Sequence, residues 1–281
     1  MPRPTPMQLD PSAAAAGVRL VSLDTVGSTN AEALALARGG ERGPLWVVAR
    51  RQTAGRGRRG RAFVSEPGNL FATLLLVDAS APDRAAELSF VASLALHDAV
   101  GELAPALAPR LQVKWPNDLL CAGAKCSGIL VEGESGAGRA LVTVVGVGVN
   151  CAHHPADTPY PATNLSACGA EVTPPMLFGA LSRAMVRRLA EWARGHGFAA
   201  TRDAWLARAA GLGDIVRIRF PDRTLEGRFE TLDATGRLVL RRPDGRVEHV
   251  TAGDMFPLDI RSPDPTPDCD ARRPAAAGER A

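Results

Sequence analysis

Residues 112–150 read QVKWPNDLLCAGAKCSGILVEGESGAGRALVTVVGVGVN, and this stretch decides the fold class. Short apolar runs at 112–114, 118–121, 129–132 and 141–149 alternate with glycine-containing turns, the signature of successive short-connected strands. Upstream, strand signals at 18–23, 45–49 and 70–77 are interleaved with helix signals. Ser28 is suited to cap a helix over 29–38 that Gly39-Gly40 ends. A long helix opens at Ser80 or Asp83 and runs to Leu103, with Leu88, Val91, Leu94 and Val100 on one face. Downstream, Pro174-Pro175 opens a helix over 176–194, and another covers 200–209. The expected architecture is α+β, a mixed α/β domain.

From Gly213 the pattern changes. Alternating runs at 215–220, 224–232, 237–241 and 246–250 are punctuated by Pro221-Asp222, Ala234-Thr235-Gly236 and Pro243-Asp244-Gly245. They predict a small β-barrel. The main domain is expected over 18–211 and the barrel over 212–262. The Pro- and Ala-rich segment 1–17 and the segment 263–281 read as disordered arms.

Composition narrows the function classes. Hydrophobic residues make up 46% and charged residues 22%, as in an ordinary globular protein. A net charge of +3 is too small to argue for a nucleic-acid or membrane-surface protein. Nothing approaches the ~18–20 apolar residues of a membrane span, and the N-terminus lacks a signal-peptide core. Five cysteines without a Cys-x-x-Cys spacing predict reduced thiols in a cytoplasmic protein and no metal site.

The densest local feature is ARRQTAGRGRRGRAF at 49–63. Six arginines fall within 50–61, and no acid lies between Glu41 and Glu66. Gly55, Gly57 and Gly60 let the backbone turn sharply, and guanidinium groups pair bidentately with phosphate or carboxylate. Such a loop can wrap a small anion, but it can equally be a solvated basic loop or a nucleic-acid patch. It lacks the Gly-Lys-Ser/Thr of a Walker loop.

Four further segments carry polar chemistry. In VKWPNDLL (113–120), Lys114 supplies a cation, Trp115 a flat apolar wall, and Asn117 and Asp118 polar groups after Pro116. In AKCSGILVE (124–132), Lys125 precedes Gly128 and is expected at a strand's mouth. VVGVGVN (144–150) is a glycine-thinned strand ending in Asn150, which can donate and accept hydrogen bonds. DTVGSTN (24–30) gathers Ser28, Thr29 and Asn30 at a helix start. Each segment alone has a bland reading as a turn, a cap or close packing.

Together, GSTN at 27–30, GRGRRGR at 55–61, KWPNDL at 114–119, K-x-x-GILVE at 125–132 and GVGVN at 146–150 resemble the catalytic domain of bacterial biotin–protein ligases. The resemblance covers roughly residues 18–262 and implies the biotin/lipoate-ligase fold with a small C-terminal SH3-like barrel. It implies two half-reactions. Biotin and MgATP give biotinyl-5′-AMP and pyrophosphate; biotin then passes to a lysine of the biotin carboxyl carrier protein of acetyl-CoA carboxylase.

By position, Ser28, Thr29, Asn30 and Gln52 resemble the family's contacts to the ureido ring of biotin. Arg56, Gly57 and Arg58 match its ligand-wrapping loop, and Trp115 would wall the biotin chain. Lys125 matches the lysine at the biotin carboxylate and α-phosphate. Gly55, Arg56, Arg58, Lys114 and Asn150 would contact the nucleotide. Lys125, Arg58 and Asp118 would serve the chemistry, with Asp118 positioning or deprotonating the acceptor lysine. Arginine repulsion suggests that the 55–61 loop orders only around an anion.

The unpatterned N-terminal residues predict neither repressor activity nor sequence-specific DNA binding. Family members pair through sheet edges in some cases, so a homodimer is possible. The alternatives are a lipoate–protein ligase of the same fold and, in another class, a nucleic-acid-binding protein using the arginine loop. The absence of aromatic rings near 50–61, apart from Phe63, disfavours the latter.

Overall fold

A computed structural model of the chain describes residues 5–135 and 140–257. Its larger part is a seven-stranded sheet in the order β1-β2-β3-β7-β6-β5-β4. The strands are β1 (Arg19–Val26), β2 (Leu45–Gln52), β3 (Leu70–Val77), β4 (Leu111–Lys114), β5 (Asp118–Cys121), β6 (Ala124–Ser135) and β7 (Leu141–Val149). Only β1 and β2 run parallel, joined by the crossover helix α2 (Thr29–Arg38); the other neighbours are antiparallel.

The two faces of the sheet differ, and the difference makes the site. One face packs against α3 (Leu88–Leu103) and α4 (Pro174–Trp192), and α5 (Phe198–Leu206) packs on those two helices. Its core includes Trp46, Val48, Leu70, Leu74, Val145, Val147, Val149 and Ile129. On the other face α2 covers Leu45, Val47, Leu75, Val142 and Val144. Successive strand residues point to opposite faces. Phe71, Thr73, Gly146 and Gly148 therefore lie on the α2 face, beyond the strip where the helix packs. The missing side chains admit Asn30 and Phe63 close against the sheet, and a hollow opens beside them.

α3 follows a 3₁₀ turn at Pro82–Glu87, so the expected long helix is α-helical only from Leu88. It is buried almost all round because it is wedged between the sheet and α4. α4 begins with Pro174 and Pro175 in its first turn, where a missing N–H leaves no bond unmade. Buried Leu177, Phe178, Leu181, Ala184 and Met185 form its inner stripe.

Two expectations change. Residues 5–17 do not form a disordered arm: α1 (Pro11–Ala15) is capped by Asp10, whose Oδ1 accepts from Ser12 N at 2.9 Å. Asp10 N donates to Ser182 Oγ at 3.0 Å, its carboxylate pairs with Arg183 at 2.5 Å, and Ala13 is fully buried. Four small residues suit a tight helix against α4, which composition alone does not disclose. Residues 1–4 and 263–281 lie outside the described residues.

The second change is in the C-terminal unit. It is a five-stranded antiparallel sheet in the order β11-β10-β9-β8-β12. Its strands are β8 (Ile215–Arg219), β9 (Thr224–Leu232), β10 (Leu238–Arg241), β11 (Val247–Val250) and β12 (Asp254–Pro257). Among the described residues β11 and β12 do not pair, so the sheet curls in SH3-like fashion without closing. β12 had no strand signal of its own.

Among the described residues no helix is long and apolar enough to cross a membrane. Cys121, Cys126, Cys151 and Cys168 are free thiols. Burial pushes the Cys151 thiol up to about 12, which keeps it protonated and inert.

Candidate active site

The hollow on the α2 face is a cleft lined from several elements: α2, the arginine loop, the β4–β5 hairpin, β6, β7 and β12. Its floor is Gly128, Gly146 and Gly148. A Cβ on Gly146 would lie 2.2 Å from Asn30 Oδ1, and one on Gly148 2.6 Å from the Phe63 ring. Glycine is required at both because Asn30 and Phe63 occupy the space a side chain would need. Phe71 and Leu130 complete the apolar wall.

One end of the cleft is lined by the neutral polar side chains of Ser28, Thr29, Asn30 and Gln52. Gln52 Oε1 accepts from Thr29 N at 2.8 Å and from Thr29 Oγ1 at 3.0 Å, and Gln52 Nε2 donates to Ser65 Oγ at 3.0 Å. The Thr73 hydroxyl lies 2.8 Å from Thr29 Oγ1 and 2.7 Å from Asn30 Oδ1. Asn30 Nδ2 donates to Glu132 Oε2 at 2.8 Å and to Leu130 O at 3.3 Å. These bonds fix both amides in one orientation. Ser28 precedes α2, but its side chain makes no capping bond, so its hydroxyl is not committed to the helix.

The other end is charged. β4 and β5 form a hairpin around Trp115-Pro116-Asn117, with Lys114 and Asp118 as Cα partners across it. Asp118 Oδ2 lies 3.3 Å from Lys114 Nζ, and its Oδ1 lies 2.6 Å from Lys125 Nζ. Burial alone would raise the Asp118 carboxyl, but the charges of Lys125 and Lys114 outweigh it and hold the pKa below its ordinary value. Burial depresses Lys114, which is farther from the shared carboxylate and faces Lys125 as a like charge. Lys125 is raised: burial opposes its charge, and the closer Asp118 contact prevails. The ring of Tyr160 sits 5.7 Å from Lys114 Nζ and 5.1 Å from Lys125 Nζ, while Phe256 sits 5.5 Å from Lys114 Nζ. Both rings offer negative π-faces to buried cations.

The arginine loop arches over the mouth. Its stems are joined by Phe63 N to Gly55 O at 2.9 Å and Gly57 N to Arg61 O at 2.7 Å. The tip turns through Arg59 (φ 57°) and Gly60 (φ 71°), both left-handed. Arg58 Nη2 donates to Gly253 O at 2.8 Å and to Asp254 Oδ1 at 2.6 Å; Arg61 also pairs with Asp254, and Arg59 reaches it at 3.5 Å. The repulsion expected to keep this loop open is thus offset within the chain by an acid about 200 residues away in sequence.

The cleft brings together Ser28, Thr29, Asn30, Gln52, Arg56, Gly57, Arg58, Lys114, Asp118 and Lys125. Three expected ligand contacts are not among its lining residues. Trp115 is buried on the opposite side of the hairpin, in the main core, with Nε1 donating to Gly236 O at 3.2 Å. Trp115 lies in the turn that follows β4, and there its indole is directed away from the cleft that its neighbour Lys114 lines. Asn150 is buried, and Nδ2 donates to Thr163 O at 3.0 Å. Gly55 packs beneath the loop, where a Cβ would meet Ser65 Oγ at 2.5 Å. Lys125 is the second residue of the long strand β6, at the strand's mouth as expected.

Sequence reading passed over Phe71, Thr73, Glu132, Tyr160, Asp254 and Phe256. Thr73 had a signal, as the sole hydroxyl in the otherwise apolar LFATLLLV. Tyr160 is the only tyrosine in the chain. Asp254 and Phe256 had none.

Residues 28–150 match the model of the biotin/lipoate A/B protein ligase family, and residues 211–256 that of the biotin protein ligase C-terminal domain. The chain is 46% identical to the biotin–[acetyl-CoA-carboxylase] ligase of Paracoccus denitrificans over 237 residues, 82% of this chain and 96% of that one. The chain belongs to the biotin protein ligase family. The ligase shares its fold with biotin protein ligase from Aquifex aeolicus, solved with biotin and ATP, at a TM-score of 0.71 and 24% identity over 85% of this chain and 97% of that one. It is also similar to the Leishmania major biotin protein ligase solved with biotinyl-5-AMP, at a TM-score of 0.59 and 26% identity over 83% and 99% of the two chains.

Proposed function

We propose that this ligase activates biotin with ATP to biotinyl-5′-AMP and passes the biotinyl group to a lysine of the biotin carboxyl carrier protein of acetyl-CoA carboxylase. The observation that carries the reading is the polarity of the cleft: a neutral hydrogen-bonding end and a cation-rich end are joined by an apolar channel. Biotin has the matching order of parts, a neutral ureido ring, an aliphatic chain and a carboxylate. The Paracoccus relative is a biotin ligase, which favours biotin over lipoate. The loop arginines pair with Asp254 at a cleft mouth and do not form an open basic face, which disfavours nucleic acid.

In this reading Ser28, Thr29, Asn30 and Gln52 take the ureido ring. Phe63 and Phe71 wall the chain in place of Trp115. The carboxylate then lies near Lys125. When its oxygen attacks the α-phosphorus, the bond to the β-phosphate oxygen breaks and pyrophosphate leaves. Lys125, Lys114, Arg56 and Arg58 offset the charge brought together, and a preorganised donor of this kind contributes about 3 kcal/mol. In the second step the acceptor amine attacks the acyl carbon and AMP departs. Asp118 is ionised but held by two ammonium groups, so it is a weak base; its role is to position Lys114 and Lys125.

Magnesium enters as the MgATP substrate, neutralising the phosphates. The described residues contain no group of three or more His, Cys, Asp or Glu side chains able to hold a metal. Both cleft carboxylates, Asp118 and Asp254, are already engaged by cations.

Incubation with biotin, MgATP and a biotin carrier domain is expected to add one biotinyl mass to a single lysine. Pyrophosphate exchange that needs lipoate and ignores biotin would reverse the assignment. A narrower test uses Gly146→Ala, whose methyl group would collide with Asn30 Oδ1. Overpacking of this kind costs about 1–3 kcal/mol. The KM for biotin is expected to rise about tenfold or more with the KM for ATP little changed, read by pyrophosphate release at varied biotin. Equal changes in both would move the ureido end elsewhere.

A further inference from the structure

Asp254 is the first residue of β12, the edge strand that pairs with β8, where it faces Arg219. Its position is therefore set by the C-terminal sheet and not by the loop it touches. Alternation buries Met255 in that sheet's own core and sends Asp254 and Phe256 to the cleft. The Asp254 carboxylate then meets Arg58 at 2.6 Å, Arg59 at 3.5 Å and Arg61.

One negative charge gathers three positive ones. Burial would raise the carboxyl's pKa, but Arg61, Arg58 and Arg59 more than compensate and hold it ionised. The cleft as a whole is lined by Arg56, Arg58, Arg61, Lys114 and Lys125 against only Asp118 and Asp254. Positive charge is in excess, and Arg58 and Arg61 spend their best hydrogen bonds on a side chain. A phosphate group arriving among them brings more charge than a carboxylate and suits the same bidentate fork. It also lies beside Asp254 as a like charge.

We infer that Asp254 is the resident counter-anion of the arginine loop, and that nucleotide phosphate displaces it from Arg58 and Arg61. The C-terminal domain thus holds the loop in place over the cleft until a stronger anion takes the arginines over. Asp254 is a positioning residue: it acts through the loop and competes with the ligand for it. The inference rests on the placement of phosphate at the loop arginines proposed above.

A plain structural clasp and a displaceable counter-anion differ in sign. If Asp254 only braces the loop, removing its charge loosens the loop and weakens anion binding. If it competes, removal loosens the loop and tightens anion binding. The test uses the full-length chain and its Asp254→Asn and Arg58→Gln variants, with hydrogen exchange over residues 55–62 and titration calorimetry with magnesium pyrophosphate. Without pyrophosphate, Asp254→Asn is expected to exchange about tenfold faster in the loop. It is expected to bind pyrophosphate about fivefold more tightly, since a like charge has left the site, and pyrophosphate should restore loop protection.

Unchanged loop exchange, or pyrophosphate affinity that is equal or weaker, overturns the inference. If Arg58→Gln binds pyrophosphate as tightly as the parent, the phosphate placement itself fails and takes the inference with it. If Arg58→Gln weakens binding while Asp254→Asn does not tighten it, only the displacement is wrong. Asp254→Ser, smaller and also neutral, carries the same two expectations should the amide not be accommodated.

Discussion

Lys125→Ala is expected to lower the rate of biotinyl-5′-AMP formation by about 10²–10³-fold, the usual effect of removing a preorganised donor at developing charge. Its ammonium lies 2.6 Å from Asp118 and beside the glycine floor, where a Cβ on Gly128 would be 3.5 Å from Nζ. The carboxylate and the α-phosphate would meet at this spot. The group's demand grows as charge concentrates in the transition state, so the loss should fall on the rate far more than on biotin affinity. Folding should suffer little, because Asp118 keeps Lys114 as a partner at 3.3 Å. Single-turnover pyrophosphate release, set beside equilibrium biotin binding, separates the two quantities. Since the Lys125 pKa is raised above its ordinary 10.5, activity should not fall through this group on the alkaline side of neutrality. Lys114, whose pKa is depressed by burial, is the first of the pair to lose its proton as pH rises. Near-normal single-turnover release by Lys125→Ala would place the attacking carboxylate elsewhere.

Much of this site was legible because local rules and tertiary needs agree. α2 spans Thr29–Arg38 as the flanking Ser28 and Gly39 indicate, and β7 spans the apolar run 141–149. The glycines of GVGVN read as a thinned strand, and that thinning proved to be the cleft floor. Where the placement of residues departs from expectation, the cause lies in side-chain direction. Trp115 follows a cation and comes shortly before a polar pair, so composition offers it to a ligand; in the turn after β4 its indole enters the core instead. Asn150 sits one residue past the strand, where its amide is consumed by Thr163 O. Asp254, Phe256 and Tyr160 reach the cleft from distant parts of the chain, and no local pattern distinguishes them from surface residues. The loop's counter-charge was invisible for the same reason: arginines 56–61 show their repulsion in sequence, whereas their acid arrives through the C-terminal sheet.

Asp118→Asn is expected to destabilise the ligase by about 3–5 kcal/mol, as for breaking a buried ion pair by removing one partner. The asparagine keeps the shape and can accept one hydrogen bond, but it leaves Lys114 and Lys125 facing each other with no charge between them. The sign of the pH dependence follows from the carboxyl being held below its ordinary 3.8 in the folded chain. The unfolded state then binds the proton more readily, so the stabilisation is complete above about pH 4–5 and fades as pH falls through the folded value. Denaturant titrations of parent and variant should therefore differ by a constant amount from pH 5 to 8 and converge in acid. Activity discriminates between two roles for this residue. A base that deprotonates the acceptor lysine would leave adenylate formation intact and impair only transfer. A carboxylate that positions both ammonium groups serves the first chemical step as well, and its loss should slow adenylate formation and transfer together. A defect confined to transfer, with pyrophosphate release at the parent rate, would return Asp118 to the role of proton acceptor.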